Sequence, residues 1–519
     1  MILLLAASLH LAAATPSEPP AEPARIRREV REWRQRNEAA ILRSLADLLS
    51  IPNVASDTAN IERNAGAIRR AFEARGARTE LLRVANAPPA VFAELPAPGA
   101  RHTVVFYAHY DGQPVRPAEW EGGDPWKPVL RDGSLREGGR EIPWESLPSP
   151  LPPEARIYAR SSSDDKAPVV GLLAALDALA QAKRRPSVNL KFFFEGEEEA
   201  GSPHLQQILS ENASRLSSDL WLLLDGPVHQ TRRMALYFGA RGVTDLEITV
   251  YGPSRPLHSG HYGNWAVNPI AELAWLLTTM RDDDGKIRIV GFAEAVRPPT
   301  EAEKRAVAEV PPVEEELRKG LQLGRTEGAG KPLAELVLQP ALNLRGIAGG
   351  AVGETTTNSI PTEATASIDF RLVPDLTPAR VRELVEEHVR RQGYTVVHEK
   401  PTPEERLAGA RCARLVWGPG YPAARAPMDL PASRAVIRAV EEGTGGPVVR
   451  LPTLGGSIPM YLFSDVLHAP VVGVPIANHD NDQHAANENL RLQNLWDGIE
   501  VYAALIAGLG GAWGSEAGR

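Results

Sequence analysis

Three apolar segments of this sequence each end in side chains that commonly bind metal ions. VVFYAHYD ends in His109 and Asp111, KFFFEGEEE in Glu198 and Glu199, and LWLLLD in Asp225. Short runs of β-branched and aromatic residues are typical of buried strands. In an open α/β sheet, functional groups gather beyond the carboxyl ends of the strands. The three segments therefore predict one polar cleft at the edge of a buried sheet.

Two further segments add side chains of the same kind. SSSDDK contains Asp164 and Asp165, and DQHAANE contains His484. The chain thus offers two imidazoles and several carboxylates for one cleft, a mixture of nitrogen and oxygen ligands that favours a divalent ion, with zinc as the first expectation. In EGEEE, four acidic side chains at a strand end repel one another strongly unless a cation lies between them.

Each motif, taken alone, also has an ordinary structural interpretation. A single histidine at a strand end is more often structural than functional, and EGEEE is compatible with a solvated acidic loop. Ser and Asp before a helix satisfy its free backbone donors, a role that is compatible with metal binding. In AHYD, strand alternation puts His109 and Asp111 on the same side, so the carboxylate can receive one imidazole N–H while the other ring nitrogen binds a metal.

Length and composition limit the class of protein. A chain of 519 residues is too long for one ordinary hydrophobic core, which predicts two domains. The 43% hydrophobic and 24% charged residues are typical of a soluble globular protein. A net charge of −8 without a Lys/Arg cluster argues against a nucleic-acid partner. The single cysteine, Cys412, has no partner for an internal disulfide and no nucleophile motif around it.

The N-terminal residues 1–25 resemble a signal peptide followed by a Pro/Glu-rich spacer, although the usual basic residues before the apolar stretch are missing. This predicts export to the periplasm or the medium; if the leader is not a functional signal, the protein is cytoplasmic. No other segment reaches the roughly 20 apolar residues that a membrane span requires.

Strand and helix signals alternate through residues 26–238, which predicts an α/β domain with a mostly parallel sheet flanked by helices. From residue 239 the segments TDLEITVYG and ATASIDFRLVP alternate apolar and polar residues, as strands with one solvated face do. We therefore predict an inserted α+β domain over 239–426, after which the first domain resumes over 427–512. The segment 115–155 has little periodicity, and its part from 133 to 155 could cover the cleft. Helices are predicted over about 26–50, 60–75, 169–183, 205–215, 268–280, 378–392, 431–442 and 492–509.

Taken together, the motifs resemble those of the di-zinc metallopeptidase family that includes carnosinase-type dipeptidases, glutamate carboxypeptidase, aminoacylase and acetylornithine deacetylase. The resemblance covers about residues 26–512 and preserves an order of eight motifs: HxD, DxK, EExGS, a strand-end Asp, HSG, FRLVP, GGSIP and HxxNE. It implies a zinc-exopeptidase-like sheet with an inserted domain that acts as a lid and dimerises, and hence a homodimer.

The resemblance also implies roles for individual residues. Asp164 would bridge two Zn²⁺ ions per chain, for which Mn²⁺ or Co²⁺ can substitute, and the Asp164–Asp165 peptide would be cis. Asp111 would orient His109, and Glu198 would be the general base that takes a proton from a water shared by the metals. The implied metal ligands are His109, Asp164, Glu199, Asp225 and His484.

Four residues of the later motifs are implied to contact the substrate. His258 would reach into the partner subunit's cleft and stabilise the oxyanion, with Asn358 near the same oxygen. Arg371 and Ser457 would hold the free carboxylate of the substrate, a task that suits a guanidinium; a salt bridge within the inserted domain is the alternative for Arg371. His261 is not a family site and is expected to be a surface residue.

The implied activity is hydrolysis of the amide bond in dipeptides or short peptides with a free C-terminal carboxylate, by a metal-bridged hydroxide. The alternative is an N-acyl amino acid amidohydrolase or deacetylase on the same core. A non-catalytic binding protein would require a lost ligand or base, and none is lost.

Ser161 and Ala167 replace glycines of the family pattern, and WGPGYPAARAP lacks a histidine of carnosinase-like members, which places preference for carnosine itself in doubt.

Overall fold

The computed structural model describes residues 22–409 and 411–516, so residues 1–21 of the expected leader lie outside the described residues. The helices are α1 (Glu22–Leu49), α2 (Thr58–Glu73), α3 (Lys166–Gln181), α4 (Leu205–Glu211), α5 (Ala213–Leu216), α6 (Ser259–Tyr262), α7 (Pro269–Met280), α8 (Glu301–Ala308), α9 (Glu314–Gly320), α10 (Leu333–Leu336), α11 (Pro378–Arg391), α12 (Pro403–Leu407), α13 (Pro431–Thr444), α14 (Tyr461–Leu467) and α15 (Leu492–Glu516).

The strands belong to two principal sheets and three small ones. They are β1 (Arg78–Leu82), β2 (Ala90–Leu95), β3 (Thr103–His109), β4 (Val129–Arg131), β5 (Arg156–Tyr158), β6 (Asn189–Glu195), β7 (Leu220–Leu223), β8 (Ala235–Tyr237), β9 (Gly239–Ala240), β10 (Gly242–Tyr251), β11 (Leu257–His258), β12 (Ala341–Ala348), β13 (Ser359–Ile360), β14 (Glu363–Leu372), β15 (Tyr394–Val397), β16 (Arg411–Tyr421), β17 (Ala424–Arg425), β18 (Val449–Leu451), β19 (Val471–Gly473) and β20 (Asn489–Arg491).

The larger sheet has eight strands in the order β1-β2-β6-β3-β7-β19-β8-β18. Its centre, from β6 through β3 and β7 to β19, is parallel, while β1, β2 and the β19–β8 pair are antiparallel. Helices α1, α2, α3, α13 and α15 pack on one face and α4, α5 and α14 on the other. Because both faces are covered, the central strands are continuously apolar.

The smaller sheet has five strands in the order β12-β14-β10-β16-β15. Helices α7 and α11 pack against one face and enclose a second hydrophobic core. Strands β10 and β14 pair antiparallel over their full length, from Gly242 opposite Leu372 to Tyr251 opposite Glu363. This agrees with the alternating pattern of the two segments, because one face of each strand lies in the core and the other does not.

The chain passes between the two sheets where Gly239–Ala240 pairs with Ala424–Arg425. The segment around α8 leaves the smaller sheet and packs on β18, and Glu303 forms a buried ion pair with Arg425 at 2.8 Å. The predicted domain limits at 239 and 426 coincide with this crossing, and the division into domains stays a prediction.

The expectation that residues 133–155 cover the cleft is wrong for 142–155, whereas Arg136 pairs with Asp482 in the loop that carries His484. Leu151 is buried in the core of the larger sheet, and Ile142, Trp144 and Leu147 pack against that core. Hydrogen bonds fix this segment to α1: the Leu151 N–H donates to Glu38 Oε2 at 2.9 Å, and Arg43 donates to the Trp144 carbonyl at 2.7 Å. The apolar side chains of the segment are better buried against α1 than exposed over a polar cleft.

Two further observations concern the whole of the described chain. The helix predicted near 205–215 is interrupted at Asn212, so that α4 and α5 are separate. Among the residues described, no helix has the length and apolar character needed to cross a bilayer.

Candidate metal centre

The polar side chains gather at the carboxyl ends of three neighbouring strands. His109 is the last residue of β3, Asp225 follows β7, and the Glu198–Glu199 pair follows β6 in a short 3-10 turn. Strands β6, β3 and β7 are adjacent in the sheet and parallel, so their carboxyl ends meet at one edge. The cleft predicted from the three apolar segments therefore lies where the sequence pattern places it.

Two clusters of potential metal ligands share Asp164. In each cluster the ligand atoms lie within 4.8 Å of one another. His109 Nε2 lies 2.9 Å from Asp164 Oδ1, and His484 Nε2 lies 3.1 Å from Asp164 Oδ2 and 3.3 Å from Glu199 Oε2. One cluster is His109, Asp164 and Asp225; the other is Asp164, Glu199 and His484.

Asp111 contacts both His109 and the glutamate pair. His109 Nδ1 lies 3.4 Å from Asp111 Oδ1 and 3.2 Å from the Asp111 carbonyl oxygen, which leaves Nε2 directed at Asp164. The two carboxylate oxygens of Asp111 also accept the backbone N–H groups of Glu198 and Glu199, both at 3.0 Å. Asp111 thus contacts the imidazole that it is predicted to orient, and it also holds the turn that carries the glutamates.

The clusters bring buried carboxylates together with two histidines. A hydrogen bond to Asp164 raises the pKa of His484 to about 9. Against the opposing effect of burial, hydrogen bonds to Asp111 and Asp164 raise the pKa of His109.

Burial raises the pKa of Glu199 to about 7 and that of Asp225 to about 6, with the Asp164 charge adding repulsion. Burial also raises the pKa of Glu198 well above its usual range. Burial alone would raise the pKa of Asp164 as well, but hydrogen bonds from His109 and His484 hold it below its usual range.

Carboxylates this close together are stabilised by a bound proton or by a cation between them. The donor set is carboxylate oxygen and imidazole nitrogen, the chemistry that zinc-class ions accept. The residues present therefore fit two divalent ions that share Asp164.

The segment before Asp164 has Ser161 where the family pattern has glycine. Ser161 has φ of +63°, a left-handed conformation that glycine adopts more readily. Its hydroxyl accepts a hydrogen bond from Asn53 Nδ2 at 2.8 Å. The Asp164–Asp165 peptide bond is cis, as the resemblance implies.

A cavity of about 540 Å³ extends from the clusters to the smaller sheet. Of the residues that line it, Arg371 on β14 donates from Nη1 to Ser457 Oγ at 2.9 Å and from Nε to Asp369 Oδ2 at 2.9 Å. Leu454 and Ile458 add apolar side chains to the lining. Arg371 and Ser457 thus lie together in the same cavity as the metal ligands, where an anionic group can be bound.

His258 and Asn358 lie together elsewhere. His258 is opposite Ser359 in the β11–β13 pair, and the Ser259 N–H donates to the Asn358 carbonyl at 2.9 Å. Both side chains are exposed, and neither lines the cavity formed by their own chain. His258 Nδ1 accepts the Gly260 N–H at 3.1 Å, which leaves Nε2 as the protonated, donating nitrogen of the neutral ring. His261 is exposed, as expected, with its ring 4.5 Å from that of His258.

Three residues that line the cavity were not predicted from the sequence. Gln113 donates to Glu199 Oε2 at 2.7 Å, and Gln483 donates to Asp164 Oδ2 at 3.4 Å. Tyr421, at the end of β16, stacks on Tyr461, and burial raises the pKa of its hydroxyl. Both glutamines lie within two residues of Asp111 or His484, a proximity that could have identified them; no sequence signal identifies Tyr421.

Comparisons with known proteins extend over both sheets. The family model described as peptidase family M20/M25/M40 matches residues 105–508. A Cys-Gly metallodipeptidase of Schizosaccharomyces pombe is 27% identical over 81% of this chain and 82% of that protein. A Beta-Ala-His dipeptidase of Homo sapiens is 27% identical over 81% of this chain and 77% of that protein. The crystal structure of an M20 family metallo-carboxypeptidase from Sulfolobus solfataricus matches with a TM-score of 0.71 at 25% identity, over 91% of this chain and 99% of that one.

Proposed function

The chain belongs to peptidase family M20/M25/M40, and on this premise we propose that it is a di-metal peptidase that hydrolyses dipeptides, or the C-terminal bond of a short peptide. One observation carries the proposal. Residues of two ligand clusters that share Asp164 line the same cavity as Arg371 and Ser457. This arrangement suits a short substrate with an amide bond near one end and a free carboxylate at the other.

The metals proposed are two Zn²⁺ ions per chain, with Mn²⁺ or Co²⁺ as substitutes. Bound ions would lower the pKa of a water molecule and polarise the carbonyl of the amide bond. The chain supplies the ligands: His109 and Asp225 for one ion, Glu199 and His484 for the other, and Asp164 for both.

Glu198 is the proposed proton carrier. It lines the cavity next to both clusters, and burial raises the pKa of its carboxyl group. A carboxylate whose affinity for a proton is raised in this way accepts a proton from water and then returns it to the departing amine more readily than an exposed one. The backbone hydrogen bond to Asp111 holds Glu198 in the turn that faces the cavity.

Arg371 and Ser457 are the proposed anchor for the substrate carboxylate. The Arg371 guanidinium uses Nε and Nη1 on Asp369 and Ser457, which fixes its plane within the cavity. A carboxylate bound there by charge-assisted hydrogen bonds places the adjacent amide bond toward the metal ligands.

An N-acyl amino acid is a second candidate substrate, and one observation favours it. Among the described residues that line the cavity, every acidic side chain belongs to the ligand clusters or is Glu198. A dipeptide carries a free ammonium group for which this cavity offers no separate carboxylate, whereas an N-acyl group needs none. Both candidates share the amide bond and the free carboxylate.

The proposed assembly is a homodimer in which His258 acts on the partner's cavity. His258 and Asn358 are exposed and do not line the cavity of their own chain. Strand β12 is the edge of the smaller sheet, and Ile347 on it is 58% exposed; Trp265, near α7, is 80% exposed. Exposed edges and large apolar side chains are features of surfaces that associate.

We also propose that residues 1–25 direct export. The apolar stretch and the small residues that follow it support this proposal. N-terminal sequencing of protein recovered from the periplasm or the medium tests it: cleavage within this segment is expected, whereas intact cytoplasmic protein would contradict it.

A substrate panel tests the proposed activity. Metal-loaded protein is assayed on dipeptides, on the same dipeptides with an amidated C-terminus, and on N-acetyl and N-succinyl amino acids. We expect hydrolysis of free-carboxylate dipeptides and little of the amides. Faster hydrolysis of the N-acyl amino acids would favour the second candidate, and no hydrolysis of either group would contradict both.

A further inference from the structure

The segment that carries Asp164 wraps around one buried carboxylate, that of Glu488. Glu488 Oε2 accepts hydrogen bonds from the Ser161 N–H at 2.9 Å and from Arg160 Nη1 at 2.8 Å. Its Oε1 accepts from the Ser163 N–H and hydroxyl, both at 2.9 Å, and from the Asp164 N–H at 3.0 Å. Five donors surround this side chain, two on Oε2 and three on Oε1.

Glu488 also belongs to the loop that carries His484. Asp482, His484 and Asn487 in this loop have φ values of +55°, +62° and +63°, a left-handed conformation that Asp, His and Asn adopt more often than other residues with a side chain. Such a backbone persists only where its surroundings hold it in place. The loop lies more than 300 residues from Asp164 along the chain, so its position relative to Asp164 depends on contacts across the fold.

Arg160 completes the connection between the two segments. It is 2% exposed, and besides its bond to Glu488 it donates from Nη2 to the carbonyl of Ala485, next to His484, at 3.2 Å. Its guanidinium carbon lies 5.2 Å from the ring centre of Trp120. The Arg160–Glu488 pair therefore holds the backbone beside Asp164 and the backbone beside His484 at the same time.

We propose that Glu488 is a positioning residue for the metal centre, which sets the separation between Asp164 and His484 through its five hydrogen bonds and the pair with Arg160. The inference rests on the proposed function, because it assigns Glu488 to the metal site proposed there. The cluster of Asp164, Glu199 and His484 depends on it most, since two of its ligands come from the two segments that Glu488 joins.

The other cluster depends on Glu488 less. His109 ends β3 and Asp225 follows β7, two neighbouring strands of the sheet, so their separation is set by strand pairing. Asp164 is the one ligand that the two clusters have in common. A change at Glu488 is therefore expected to weaken the two metal sites unequally, whereas a general loss of stability would weaken both.

Glu488→Gln tests this inference, because the amide keeps the size of the side chain but faces the five donors with an NH₂ group in place of one acceptor. Zn²⁺ affinity at each site is measured by competition with a chromophoric chelator, and Co²⁺ substitution reports ligand geometry by visible absorption. We expect one site to bind roughly 10- to 100-fold more weakly, the usual effect of removing a partner that orients metal ligands. The Co²⁺ spectrum should change accordingly.

Glu500→Gln is the matched control. Glu500 on α15 is also a buried carboxylate paired with an arginine: it accepts from Arg31 at 2.9 and 2.6 Å. It lies outside the cavity and the clusters. This variant should lower the melting temperature but bind Zn²⁺ at both sites as the wild type does.

Ser163→Ala keeps the test decisive if Glu488→Gln does not fold, because it removes only the hydroxyl donor at 2.9 Å. It should weaken the same site by a smaller factor. Wild-type affinity at both sites in the folded variants, or equal weakening of both sites, would overturn the inference. If the proposed function is wrong, the result is different: the wild-type protein cleaves no substrate of the panel, whatever its affinities for Zn²⁺ are.

Discussion

The two sheets of this molecule contribute to the candidate site in different ways. At the edge of the larger sheet, His109, Asp164 and Asp225 are buried, with ligand atoms within 4.8 Å of one another in one chain. The smaller sheet places Arg371 in the same cavity but leaves His258 and Asn358 exposed and outside its lining. Both clusters of potential metal ligands are therefore formed by a single chain, whereas the proposed oxyanion contact requires a second chain. The following predictions test this difference.

The largest loss of turnover is expected when Glu198, which follows β6 of the larger sheet, is changed. Glu198→Gln should leave folding and metal content intact but reduce turnover by roughly 10²- to 10⁴-fold, because the amide cannot accept a proton from water. Steady-state kinetics and metal analysis measure the two effects separately. Glu199→Gln is the control and should weaken metal binding instead; if the two variants behaved in the opposite sense, their assignments would have to be exchanged.

The next effect concerns His258, on the side of the smaller sheet. His258→Ala should reduce turnover by about 10²- to 10³-fold, as removal of an oxyanion donor does, with metal content unchanged. His261→Ala, at the neighbouring exposed ring, serves as the control and should change turnover far less.

A mixed dimer locates the cavity in which His258 acts. In a dimer of one Glu198→Gln chain and one His258→Ala chain, the proposed arrangement places both lesions in one cavity and leaves the other complete. Mixtures should regain activity that neither parent homodimer has. If heterodimers are verified by native mass spectrometry and no activity returns, His258 does not act across the interface.

A smaller effect is expected at the carboxylate anchor. Arg371→Ala should lower kcat/KM for free-carboxylate dipeptides by roughly 10- to 100-fold, since hydrogen bonds to charged groups contribute about 1.5–3 kcal/mol. C-terminally amidated dipeptides provide the matched substrate, because they lack the group that Arg371 is proposed to bind. Equal losses on both kinds of substrate would indicate that Arg371 acts through its salt bridge to Asp369.

The smallest effect on catalysis is expected in the segment 133–155. Leu151 is 3% exposed in the core of the larger sheet, so Leu151→Ala should lower the free energy of unfolding by about 2–4 kcal/mol. Its kcat/KM should stay at the wild-type value below the melting temperature. A changed kcat/KM with unchanged stability, measured by denaturant unfolding, would mean that this segment acts on the cleft after all.

Much of the fold was predictable from the sequence where the pattern is local. The continuous apolar runs of β3, β6 and β7 predicted the parallel sheet, and the alternation in β10 and β14 predicted the second one. The fold class, the family and the class of enzyme, a metal-dependent peptidase, are confirmed by the match to peptidase family M20/M25/M40 and by its relatives. The order of the motifs along the chain allowed this prediction, because the metal ligands lie just beyond the carboxyl ends of particular strands.

The remaining features depend on contacts that sequence spacing does not encode. Nothing near Glu488 in the sequence indicates that it accepts hydrogen bonds from residues 160–164, and Asp111 was assigned to His109 alone although it also fixes the turn of Glu198. The course of 133–155 against α1 follows from where its apolar side chains find a partner, which local periodicity does not show. The roles of the individual site residues stay predictions until they are measured.

Metal content tests the central claim most directly, because the proposed function depends on two ions that share Asp164. We expect purified wild-type protein, reconstituted with Zn²⁺, to hold about two ions per chain by elemental analysis, and chelation to abolish hydrolysis. His484→Ala should retain about one ion, since His109, Asp164 and Asp225 remain. No more than trace metal in the replete wild-type protein, or hydrolysis that survives complete chelation, would contradict the account.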